Sequence, residues 1–279
     1  MSLVGKSVVI WPGIPLLAFP VIYLGWAYVL WTPVLLGEGP VWELPSLFWF
    51  LLGGASPVVA SVLLAGGSGG RDQLRDLFHR LIDWRRISVR WLLFVFLYWL
   101  VFDLCMAAAA VGLGITDRPL DVNWLLWINP SALFFLLLLS FVFPAVEEIG
   151  LRGYYLDTLM KTLPPVAAAL VNGVVWALWH TPFVFFPGYY ANTSFQPELY
   201  WWLPMIICDT LMIAFVYCRT GRSILAALIF HAMMNFTGEW LRISPDMYPF
   251  MLSGKVLMAL VIVLVWRQTD RAAGNSVPG

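Results

Sequence analysis

Charge is scarce in this chain: Asp, Glu, Lys and Arg together make up 11% of its 279 residues, against 61% hydrophobic residues. That balance, with a mean hydropathy of +0.82, excludes an ordinary soluble domain and a disordered chain alike, and leaves the membrane class. Formal net charge is zero, and no basic patch is present to attract nucleic acid. Cysteine is nearly absent. Cys105, Cys208 and Cys218 lie in apolar runs without paired spacing, which argues against both a disulfide framework and a zinc cluster. Repeats, low-complexity tracts and a second domain are missing too, so residues 1–279 read as one integral membrane domain. The first apolar run lacks a small-residue cleavage site, so an anchor helix is expected there and not a signal peptide.

What the chain has is long apolar runs. A spanning helix takes roughly 20 apolar residues, and about eight such spans are predicted: 12–36, 46–66, 89–113, 131–160, 163–182, 199–219, 222–240 and 249–266. The fold class is therefore all-α, a polytopic transmembrane helix bundle. Pro12, Pro15 and Pro20 blur the start of the first span, and the fourth is longer than a bilayer needs, so it tilts or projects. Sixteen tryptophans and ten tyrosines suit interfacial belts, and the aromatic loop 183–201 reads as one.

Positive charge orients the bundle. Arg71, Arg75, Arg80, Arg85, Arg86 and Arg90 follow the second span, and Lys161, Arg219, Arg222, Arg267 and Arg271 fall on the same side. The opposite loops carry Arg118 and Arg242 among acids such as Glu38, Asp117, Asp121 and Glu198. Both termini are expected in the cytoplasm, with the protein in the plasma membrane. Residues 71–82 set Leu74, Leu77, Phe78 and Leu81 at helical spacing among charges, the pattern of an amphipathic helix on the cytoplasmic surface.

Against this background the ionisable groups inside apolar runs stand out: Glu147, Glu148, Arg152, His180 and His231. Each costs at least ~2.5 kcal/mol at the bilayer centre, so each needs a partner or a task. Counted from the cytoplasmic ends at 1.5 Å per residue, Glu147 sits ~21 Å up, His180 ~25 Å, His231 ~14 Å and Asn235 ~20 Å. Three helices thus bring polar groups to overlapping depths. Glu147 and Glu148 are ~100° apart on a helix and cannot face one centre. Arg152, four residues beyond Glu148, is that residue's partner, which leaves Glu147 free. His231 and Asn235 share a face, and Trp176, four residues before His180, is expected to stack beneath it.

The three pieces Glu147-Glu148-x-x-x-Arg152, Trp176-x-x-x-His180 and His231-x-x-x-Asn235 resemble, in order, the motifs of the CAAX-protease and bacteriocin-processing family of intramembrane endopeptidases. The motif-bearing core covers about 131–240. The resemblance implies hydrolysis of a peptide bond, in a CAAX-type, peptide or membrane-protein substrate, by a glutamate-activated water within the bilayer. Glu147 would be the general base, helped by His180, with His231 and Asn235 donating to the oxyanion. Glu148, Arg152 and Trp176 would support them. Two departures from the family pattern are Trp176 for the usual Phe, a mild change, and Gly150 for a usually bulky residue, which would loosen packing. No cofactor is expected. A zinc alternative would use His180, His231 and Glu147, but no His-Glu-x-x-His helix exists and Asn235 is a poor ligand.

Other residues invite plainer readings. Asp103 and Asp209 suit structural hydrogen bonds, and Lys255 could snorkel to the interface. Two rival functions remain at this stage. A proton-coupled transporter would also hold Glu, His and Arg at mid-bilayer, though usually with inverted repeats. A catalytically silent scaffold of the same family is the other.

Overall fold

The computed structural model describes residues 14–68, 70–191, 193 and 195–272. Pro12, where the first predicted span began, lies outside them, as does the side chain of Arg271. The described residues form a helical bundle with no strand. Helices α1 (Ile14–Leu36), α2 (Ser46–Gly54), α3 (Ser56–Ser68), α4 (Gly70–Ile82) and α5 (Val89–Gly112) come first. They are followed by α6 (Pro130–Leu159), α7 (Pro165–His180), α8 (Leu199–Arg219), α9 (Ile224–Leu241) and α10 (Tyr248–Ala272). Among the described residues, seven helices are long and apolar enough to cross a membrane by themselves. The second predicted span is instead α2 and α3, bent by 40° at Ala55, and it makes an eighth if counted as one.

Local chemistry explains the ends. Asn129 caps α6 by accepting from the Ala132 amide at 3.1 Å, with Pro130 in the first turn where its missing N–H costs nothing. Ser223 caps α9 in the same way, accepting from Ala226 at 3.1 Å. Arg242, in the left-handed region at φ 45°, closes α9. Within α6 the backbone widens into π-helical turns over Ile149–Leu156, immediately after the two glutamates. Such widened turns are frequent at functional sites.

Gly150 is required there by close approach. A Cβ at this position would collide with the backbone of Pro57 in α3. The expectation of loosened packing is thus reversed, because the missing side chain lets two helices touch.

The arginine-rich end is stitched together. Asp157, just past the π-helical turns, accepts from Arg80 of α4 at 2.8 Å, from the Tyr217 hydroxyl at 2.9 Å and from Arg222 Nε at 3.0 Å. Arg86 reaches the Gly221 carbonyl at 2.9 Å. Arg80, Arg86 and Arg222, three of the basic residues placed on one side by the sequence, therefore share one end of the bundle. Helix α4 buries Leu77 and Arg80 against the bundle while Phe78 and Ile82 stay exposed, so the amphipathic segment is docked by one face and open on the other.

Candidate active site

Four helices supply the site. Glu147 and Glu148 end the α-helical part of α6, Trp176 and His180 lie on the last turns of α7, His231 and Asn235 lie on α9, and Asp209 on α8 faces them. Glu147, Trp176, His180, His231 and Asn235 all line one cavity of about 440 Å³. Its other walls are rich in aromatic side chains, and Gly54 and Ala55 at the α2–α3 bend also line it. The structure therefore brings the four residues named from the sequence as catalytic into one space.

The two glutamates are held differently. Glu148 and Arg152 are both 0% exposed, and Arg152 Nη1 meets Glu148 Oε1 at 2.9 Å, as the four-residue spacing predicted. The same oxygen lies 2.8 Å from Nδ1 of His231. Spacing could not foresee that second bond, because it joins residues 83 positions apart on different helices. Glu147 instead accepts from Trp176 Nε1 at 2.6 Å through its Oε2.

Trp176 does not stack beneath His180. The two rings meet edge to face at 80°, with centroids 5.1 Å apart, and Trp176 meets His231 with the same angle and distance. The face of the indole carries the Arg152 guanidinium, 4.6 Å from the ring centre. Replacement of a phenyl by an indole is therefore not mild here, because the added N–H binds the carboxylate.

Partners fix the imidazole tautomers. His180 Nδ1 lies 3.0 Å from the Trp176 carbonyl, which can only accept, so Nδ1 carries the proton and Nε2 of the neutral ring is an acceptor. His231 likewise turns Nδ1 toward a carboxylate, leaving Nε2 for the cavity.

A further polar cluster lines the same cavity. Lys255 Nζ of α10 pairs with Asp209 Oδ2 at 2.8 Å and lies 5.1 Å from the Trp99 ring centre, and Thr237 donates to Asp103 Oδ2 at 2.8 Å. Lys255 is buried and does not snorkel. The usable sequence signal was a lone lysine and a lone aspartate in two otherwise apolar spans, since each is the cheapest way to offset the other. Asp103 has the structural hydrogen bond expected of it.

Among the described residues, no three His, Cys, Asp or Glu side chains are grouped to hold a metal ion. Nε2 of His180, Nε2 of His231 and Oε1 of Glu147 are the atoms left to such an ion, and these three side chains are not grouped around one point. The donor set does not fit a zinc site, and no step below is routed through one.

Comparison with known proteins agrees with the three motifs. Residues 129–237 match the family model described as type II CAAX prenyl endopeptidase Rce1-like. A curated relative, CAAX prenyl protease 2 of Methanococcus maripaludis, is 26% identical over 243 residues, covering 85% of this chain and 89% of that protein.

Proposed function

We infer that this chain, whose residues 129–237 match the Rce1-like endopeptidase model, is an intramembrane endopeptidase that works on a membrane-associated protein or peptide. The observation that supports it best is the shared cavity, where one carboxylate, two imidazoles and an amide converge among buried aromatic walls. In the proposed reaction Glu147 takes a proton from water as the water oxygen attacks the scissile carbonyl carbon. Nε2 of His180 accepts from the same water and orients it. Charge then builds on the carbonyl oxygen, where the Asn235 amide N–H can donate. His231 can donate from Nε2 only as an imidazolium, and the carboxylate of Glu148 at its Nδ1 offsets that charge. Collapse of the intermediate breaks the C–N bond, and the proton held by Glu147 passes to the departing amine.

The membrane topology that goes with this reading has both termini on the cytoplasmic side of the plasma membrane. It is supported by the arginines gathered at the Asp157 end of the bundle.

The test is cleavage by purified protein in lipid vesicles, using a farnesylated CAAX peptide and its unprenylated counterpart, with Glu147→Gln as control. Cleavage of either peptide that disappears in the variant supports the reading, and preference between the two names the substrate class. Cleavage unchanged in the variant would remove Glu147 from the mechanism. Ion-coupled uptake without cleavage would favour a transporter.

A further inference from the structure

The base proposed above hangs on a side chain with three rotatable bonds, and an unheld carboxylate would sample several rotamers in a cavity of this size. One residue touches Glu147, Arg152 and both imidazoles. Trp176 donates Nε1–H to Glu147 Oε2 at 2.6 Å. Its ring face holds the Arg152 guanidinium at 4.6 Å, and its edges meet His180 and His231 at 5.1 Å each. Its carbonyl fixes His180 Nδ1 at 3.0 Å. The indole itself cannot turn, because it is 2% exposed and wedged among these four neighbours.

We propose that Trp176 is a positioning residue: its indole N–H pins one oxygen of Glu147, so that the other is presented to the reacting water beside His180. The inference rests on Glu147 being the water-activating base. It separates two roles that any large aromatic at this position would otherwise merge. Filling space beneath the imidazoles needs only a ring, whereas aiming the carboxylate needs the N–H.

Two substitutions separate them. Trp176→Phe keeps a ring and loses the N–H. Replacement of Trp176 by benzothienylalanine, in which sulfur stands for the N–H, preserves the indole's shape almost entirely and removes only the donor. The benzothienylalanine protein should fold with a nearly unchanged Tm in vesicles, whereas Trp176→Phe should melt lower because the smaller ring leaves a buried gap. Both should lose about 10- to 100-fold in kcat with KM little changed, the cost of a misaimed reacting group. The infrared carboxylate stretch of Glu147, assigned by its disappearance in Glu147→Gln, should shift in both because an acceptor bond is gone. Full turnover in the benzothienylalanine protein, or an unshifted band, would overturn the proposal. The infrared comparison needs no substrate. If wild type cleaves neither peptide, the proposed function fails, while the band still decides whether the indole holds Glu147.

Discussion

Oε1 of Glu148 stands 2.8 Å from Nδ1 of His231 and 2.9 Å from Nη1 of Arg152, so a single buried oxygen holds one residue of its own helix and one from α9. The neighbouring Glu147 turns about a third of the way round the helix and faces Trp176 and the cavity. Adjacent, chemically identical residues thus have separate partners. Glu148 is more than the far half of an ion pair, because it also sets which nitrogen of His231 carries the proton.

Glu147→Gln should fold normally and lose about 10²–10⁴-fold in kcat, the usual contribution of a general base. The side-chain shape and an acceptor for the Trp176 N–H both persist. Turnover assays beside thermal melts in detergent would check this, and a large fall in Tm would point to a structural role instead.

Glu148→Gln should do two kinds of damage. Leaving the Arg152 guanidinium buried without its anion costs about 3–5 kcal/mol, seen as a lower Tm and yield. The folded fraction should also turn over more slowly, because the amide no longer offsets a charged His231. Arg152→Met, which removes the cation but leaves the Glu148–His231 contact, should share the first defect and show less of the second.

Lys255→Met should strand Asp209 in the cavity wall and cost about 3–5 kcal/mol. The double variant Lys255→Met, Asp209→Leu should recover much of that loss, since two uncharged groups need no partner. A double-mutant cycle on thermal stability measures the difference.

Gly150→Ala places a methyl group where the Pro57 backbone already lies. Overpacking of this kind costs about 1–3 kcal/mol, and here the obstacle is main chain that cannot rotate away. A reduced Tm is expected, and activity should fall because the adjacent Glu147 and Glu148 move with the helix.

Zinc removal should leave activity intact. Metal content of the purified, active protein and turnover after exhaustive dialysis are the relevant measurements. Stoichiometric zinc, with activity lost on removal and restored by zinc alone, would reject the glutamate-activated mechanism. Inhibition by a chelator small enough to enter the cavity would not decide, because it could block the site.

Much of this was legible from spacing along single helices. The apolar runs gave the spans, and the interval from Glu148 to Arg152 gave their ion pair, because four residues bring side chains to one face. The bend at Ala55 escaped notice, since hydropathy averages over a window and records no change of direction. The bonds from Glu148 to His231, from Trp176 to Glu147 and from Lys255 to Asp209 escaped for another reason. Each joins two helices, and periodicity along one helix tells which residues share a face but not what that face meets. Lys255 was misread because its position near a helix start suggested reach toward water, whereas the buried Asp209 drew it inward.

The π-helical stretch Ile149–Leu156 spends about one residue more than uniform α-helix would over the same turns. At about 100° per residue, that surplus puts the two ends of α6 out of phase. Before it, Glu147 and Glu148 look toward Trp176 and His231; after it, Asp157 looks toward Arg80 and Arg222. The helix behaves as a keyed shaft, with two sets of teeth cut at different angles for two different locks. Tightening the stretch into uniform α-helix with every residue kept would turn one set about 100° against the other, so that engaging one lock would disengage the other.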